Sequence, residues 1–246
     1  MKSFFIVILC FVFVDSISYA QSFVIQQKKY ERVRKAYSDN EASVKLQLTE
    51  GGFKFESIHI LLIAYKQDMQ LELWVKNSNQ KNYTYLKTYP FCALSGQPGP
   101  KRISGDGQVP EGFYYIKHFN PTSNFYLSLG LNYPNNSDRI LSDKTNPGGD
   151  IYIHGNCVTI GCIPITDDLI KELYVFAVQA KNAGQQKIPV YIFPARFSES
   201  SYNLLKANNS HLVTFWNNLK IGYDRFNNQK QELQFTVDKN GSYIFK

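Results

Sequence analysis

A chain of 246 residues, 43% of them hydrophobic, is long enough to bury one large core or one core with an appendage. Beyond its first twenty residues no apolar run reaches membrane-spanning length, which excludes a chain that crosses the bilayer repeatedly. The net charge of +7 is compatible with a polyanionic neighbour such as a cell wall, but the basic residues are scattered rather than striped, and no nucleic-acid partner is expected.

Residues 1–20 read as a signal peptide: Lys2 is the charged start, Phe4 to Val14 the apolar stretch, and Ser18-Tyr19-Ala20 the small-x-small cleavage site. Cys10 follows Leu9 rather than a small residue, which argues against a lipoprotein site. Export to the periplasm or cell envelope is expected. Cleavage leaves Cys92, Cys157 and Cys162, an odd number, so at least one thiol is unpaired or intermolecular in an oxidising compartment. Cys92 and Cys157 read as plain buried hydrophobes or, as the less favoured alternative, as disulfide partners.

Residues 21–57 form an N-terminal helical segment, with helices expected over Gln26–Ala36 and Asn40–Thr49, the second capped by Asp39 or Asn40 and stopped by Gly51-Gly52. Residues 58–194 carry the main domain. Ile58–Tyr65 is a buried strand, and Met69–Val75 returns with period-two alternation as a hairpin with one wet face. Tyr83–Ala93 is a third strand. Residues 95–112 hold five glycines and three prolines, which specify turns and a long loop expected to lie along the active-site cleft. Strands follow at Phe113–Phe119 and Phe125–Leu131. A helix begins at Thr166-Asp167-Asp168 and ends at Gly184, and Ile188–Phe193 is another strand. Residues 195–246 form a C-terminal extension packed on the core, a helix over His211–Phe226 and a hairpin around Asn240-Gly241.

Chemistry concentrates at Ile151-Tyr152-Ile153-His154-Gly155-Asn156-Cys157-Val158-Thr159-Ile160-Gly161-Cys162. Alternation puts Tyr152 and His154 on one face of a short strand. A thiol reacts as thiolate, so it needs a nearby base, and its tetrahedral adduct needs backbone N–H donors. Cys162 is the candidate nucleophile, His154 the general base, Gly161 the oxyanion backbone, and the Thr159 hydroxyl orients His154 or only bonds its own turn. Two other readings use the same residues. His154, Cys157 and Cys162 could ligate zinc, though the paired spacing of zinc sites is missing, and a Cys157–Cys162 redox pair lacks the two-residue spacing of disulfide oxidoreductases. No metal and no cofactor is expected.

The run Ile153-His154-Gly155 followed by Thr159-x-Gly161-Cys162 resembles the signature of the L,D-transpeptidase (YkuD-type) catalytic domain, with the short His-to-Cys gap of its YafK-like branch. Gly99-Pro100-Lys101, Gly105-Asp106, Val109-Pro110-Glu111-Gly112 and Leu129-Gly130-Leu131-Asn132-Tyr133-Pro134 are similar to that family's lead-in, so the resemblance spans roughly Ile58 to Phe193. It implies an α+β fold, mixed and mainly β, with flanking helices and the small helix-hairpin extension. It also implies a cysteine enzyme acting on peptidoglycan stem peptides, in which Cys162 forms a thioester resolved by an amine or by water, and a wall-anchored protein is a further partner it allows. Two positions depart from the wider family: Ile160 replaces a histidine, and Pro164 stands where an arginine is common. The missing carboxylate clamp is assigned to Arg139 or Arg102, with Tyr152 and Gly155 lining the substrate cleft. These departures leave room for a hydrolase that cleaves cross-links or wall-protein attachments. A wall-binding module that keeps the cleft without turnover is the non-enzymatic alternative.

Overall fold

The computed structural model describes residues 22–246; the segment read as a signal peptide lies outside the described residues. Helix α1 (Phe23–Gln27) precedes α2 (Glu31–Glu50), a single helix of 20 residues where two were expected. Asn40 does not cap a second helix. Its side-chain amide donates to Ala36 O one turn back, so the chain passes through the polar stretch without a break. Val33, Ala36, Val44 and Leu48 form the buried stripe that tertiary packing rewards.

Eight strands make one sheet in the order β3-β2-β1-β8-β4-β5-β6-β7. In chain order they are β1 (Ile58–Tyr65), β2 (Gln70–Asn77), β3 (Thr84–Pro90), β4 (Gly112–Asn120), β5 (Ser128–Leu131), β6 (Tyr152–His154), β7 (Ile163–Pro164) and β8 (Ile188–Phe193). The pairings are antiparallel except β1 with β8 and β6 with β7. Helix α3 (Asn136–Leu141) was not foreseen, although Asn135 and Asp138 form its capping box. Helix α4 (Asp167–Asn182), capped by Thr166, crosses back to β8.

Both faces of the sheet are covered, which is why β1 is continuously apolar. Ile58, Ile60, Leu62 and Ala64 pack toward α2 and α4, while Leu61, Ile63 and Tyr65 face the C-terminal elements. Those are α5 (Glu199–Asn208), α6 (Val213–Gln229) and the hairpin of β9 (Phe235–Val237) and β10 (Tyr243–Phe245). Trp216, Leu219, Phe226 and Tyr243 supply the buried side of this layer. The face of β2 expected to be wet is therefore covered. Glu72 is buried and accepts from Arg196 Nη1 at 2.7 Å and Trp74 Nε1 at 2.9 Å. Among the described residues no helix is long and apolar enough to cross a membrane. The observed architecture is α+β, a large mixed sheet with helices on both faces.

Candidate active site

The end of the sheet at β5, β6 and β7 positions the candidate side chains. His154 closes β6, and Cys162 immediately precedes β7, whose parallel register pairs Ile153 with Ile163 and His154 with Pro164. Paired residues point to one face, so Cys162 falls beside Tyr152 on the face that carries His154. The Tyr152 N–H donates to Cys162 Sγ at 3.4 Å, and the thiol donates to Asp150 O at 3.5 Å. His154 and Cys162 line one cavity of about 490 Å³, with Phe125, Ser128, Asp150 and Tyr152 on its walls.

Three devices hold the intervening turn. A disulfide joins Cys92, just after β3, to Cys157. It leaves Cys162 as the free thiol and removes Cys157 from both the zinc and the redox-pair readings. The Asp167 carboxylate, in the first turn of α4, accepts the Asn156 N–H at 2.7 Å. Thr159 Oγ1 accepts from Gly161 N at 3.2 Å and Cys162 N at 2.8 Å, and its hydroxyl donates to Cys162 O at 2.9 Å. The hydroxyl of Thr159 thus bonds its own turn rather than His154. The Gly161 amide, expected to face an oxyanion, and the Cys162 amide are both engaged by that same oxygen.

Gly161 is required at its position. Its φ is +132°, and a Cβ there would lie 2.9 Å from Gln108 O. This contact locates the Pro- and Gly-rich loop. Residues 95–112 do not line the cavity that holds His154 and Cys162; their Gln108 carbonyl packs against the turn at Gly161. Asp106 organises the loop by accepting from Lys101 Nζ at 2.6 Å and from the N–H groups of Arg102, Ile103 and Gln108.

His154 is 1% exposed, and its ring stacks on Phe125 at 4.6 Å between centroids. Nδ1 lies 2.5 Å from Gly155 O. A carbonyl only accepts, so Nδ1 carries the proton and Nε2 keeps its lone pair for the cavity. Burial pushes the His154 pKa below 6.5, opposed by the bond to Gly155. Burial raises the Cys162 thiol above its ordinary value, as does the Asp150 charge, while the Tyr152 N–H and the Lys101 charge act the other way. Both shifts run toward the neutral forms of the thiol and the imidazole that share this cavity. Alkylation of Cys162 by iodoacetamide should therefore climb with pH through 9.0 without levelling near neutrality. A plateau near pH 7 would show a standing thiolate–imidazolium pair and contradict this geometry.

The remaining candidates separate. Tyr152 lines the cavity, its hydroxyl 3.5 Å from Asp150 Oδ1. Gly155 does not line the cavity; its carbonyl meets His154 Nδ1, and a Cβ there would collide with Asp167 Oδ1, so the close approach of α4 demands glycine. Arg102 is committed elsewhere. It pairs with buried Asp138 at 3.1 Å and lies over the Phe215 ring at 5.0 Å. Arg139 lines a separate cavity of about 460 Å³ between the sheet and the C-terminal hairpin. Neither arginine lines the cavity that holds His154 and Cys162, so neither supplies the expected carboxylate clamp there.

Three contributors escaped sequence reasoning. Phe125 is held over His154 by Arg32 of α2, whose Nη1 donates to Ser123 O at 2.5 Å and Tyr126 O at 2.7 Å, 91 and 94 residues away. Asp150 adopts a positive φ of 55° and turns its carbonyl to the thiol. Val158 stands 52% exposed at the cavity rim, next to the 88% exposed Ile160 already singled out in the sequence. The Asp150 turn was signalled by Gly148-Gly149, but nothing local to Arg32 indicates a partner so distant in sequence.

Residues 60–192 match the family model described as "YkuD: L,D-transpeptidase catalytic domain". The chain is 35% identical over 187 residues to "Putative L,D-transpeptidase YafK" of Escherichia coli (strain K12), covering 75% of this chain and 73% of that protein. The crystal structure of the helical cell shape determining protein Pgp2 from Campylobacter jejuni superposes with a TM-score of 0.45 at 18% identity, covering 78% of this chain and 80% of that one. Bd1075 of Bdellovibrio bacteriovorus superposes with a TM-score of 0.40 at 21% identity, covering 65% and 58%. The match across the strands that carry His154 and Cys162, together with the identity over three quarters of the chain, places this protein in the L,D-transpeptidase catalytic domain (YkuD) family.

Proposed function

We propose that this protein is an exported cysteine enzyme of the cell wall that transfers acyl groups of peptidoglycan stem peptides through a Cys162 thioester. The observation that carries the reading is a free thiol and an imidazole with a fixed tautomer in one cavity, while the other two described cysteines are locked in a disulfide. His154 Nε2 accepts the thiol proton, and Sγ attacks a carbonyl beside a diaminopimelate-type centre. The protonated imidazole then returns the proton to the departing amine. An incoming amine resolves the thioester into a cross-link; water resolves it into hydrolysis. Export follows from the signal segment read in the sequence, and the Cys92–Cys157 disulfide supports an oxidising compartment.

Hydrolysis of cross-links or wall-protein attachments is the second reading of the same intermediate. It is favoured by a cavity wall without an arginine or lysine side chain and with exposed Val158 and Ile160 at its rim. Mass spectrometry of wild type and Cys162→Ala with purified peptidoglycan fragments decides between them. A wild-type adduct on Cys162 with new cross-links establishes transfer, and released peptides or detached protein without new cross-links establish hydrolysis. Cys162→Ala should form neither, because the thiol is the reacting atom. Equal products from both proteins, or none from either, would sink the enzyme assignment and leave a wall-binding module.

A further inference from the structure

Ser128 is only 1% exposed, and its hydroxyl has no hydrogen-bond partner among the described residues. Buried hydroxyls are nearly always satisfied, so such a group needs an explanation. Its place supplies one. Ser128 opens β5 directly opposite His154 in the antiparallel β5–β6 pair, which puts both side chains on the same face, and both line the cavity that holds Cys162. Its chain neighbours Leu127 and Leu129 are fully buried apolar residues, so an apolar side chain would suit this position better for folding alone. The imidazole does not satisfy it: Nδ1 is committed to Gly155 O, and no bond joins the hydroxyl to Nε2. The hydroxyl is thus left without a partner at the wall of the cavity that holds Cys162.

Resting on the acyl-transfer reading above, we propose that Ser128 contacts the substrate, its hydroxyl accepting the N–H of the scissile amide as the nitrogen becomes the leaving amine. As Sγ adds to the carbonyl carbon, the nitrogen turns pyramidal. Its lone pair takes the proton that His154 Nε2 received from the thiol. The C–N bond then breaks, giving a thioester and a free amine, and the imidazole is neutral again. During that transfer the lone pair faces His154, while the N–H already on the nitrogen must point elsewhere. The cross-strand neighbour of His154 is the acceptor placed beside it. By microscopic reversibility the same hydroxyl serves an amine that attacks the thioester.

The test compares two acyl donors with identical acyl parts, one with an amide and one with an ester at the scissile bond, against wild type and Ser128→Ala. An ester oxygen carries no N–H for Ser128 to hold. Ser128→Ala should slow Cys162 acylation by the amide on the order of tenfold and by the ester less than about threefold. Iodoacetamide alkylation of Cys162 should stay within about twofold of wild type, since it has no leaving amine and reports only thiol activation. The melting temperature should not fall, because the change removes an unsatisfied buried hydroxyl. Equal slowing with both donors, slower alkylation, or no effect on the amide would overturn the assignment of Ser128. Wild type that forms no thioester with either donor would instead overturn the acyl-transfer reading itself, and the role of Ser128 with it.

Discussion

Replacing His154 with alanine should lower the rate of Cys162 acylation by about 10²–10⁴-fold, the usual range for a lost general base. The magnitude is large because burial raises the Cys162 thiol, so little thiolate exists at neutral pH without a proton acceptor. On the mechanism proposed above His154 also returns the proton to the leaving group, and both roles depend on one lone pair at Nε2. His154→Gln, which keeps most of the volume beneath Phe125, should be equally inactive. Rates of thioester formation measured by mass spectrometry, with melting temperatures as the folding control, check this. An active, folded His154→Gln would remove the base from this histidine. The buried imidazole also ties stability to pH. Its folded pKa is depressed below 6.5, so its contribution is fully present above that value and lost as pH falls through it toward the folded value.

Glu111→Ala should cost about 3–5 kcal/mol of folding stability, because it strands a buried ammonium. Lys66 Nζ meets Glu111 Oε1 at 3.0 Å, with the side chains 2% and 0% exposed. Lys66 also donates to the carbonyls of Gln97, Gly99 and Val109, while Glu111 accepts from Gly99 N at 2.8 Å and Trp216 Nε1 at 2.8 Å. One ion pair thus fastens the loop over 95–112, strand β1 and helix α6 together. The double variant Lys66→Met with Glu111→Leu should recover part of the loss, since no charge is then left unpaired. Urea titrations of the single and double variants measure both effects. A single variant within about 1 kcal/mol of wild type would show that Lys66 finds other solvation, and the staple would lose its importance. Activity should fall as well, because the freed loop no longer presses Gln108 O against Gly161.

The elements legible in the sequence were those whose signal is local. The apolar run of β1, the alternation of β2, the Thr166 cap of α4 and the Asn240-Gly241 turn all lie within a few residues of what they specify. Errors arose where distant contacts overrode local pattern. Helix α2 runs through Asp39-Asn40 because its buried stripe packs on α4, outweighing the capping tendency of those residues. The alternate face of β2 reads as solvent-exposed until Arg196 and the C-terminal layer cover Glu72 and Trp74.

The same division runs through the active site. The amino-acid sequence carried the family and the candidate nucleophile, base and glycine proposed for the site, because a cysteine, a histidine and a close backbone approach fall within nine residues. Tertiary structure decided what surrounds them. It paired Cys92 with Cys157, withdrew Arg102 to Asp138 and Arg139 to another cavity, and brought Arg32 and Phe125 to the imidazole. It also set Ser128 beside His154, 26 residues away in the chain. The physical reason is that a side chain's partner is set by strand register and helix packing. Those depend on burial summed over the whole core, not on any short run of residues.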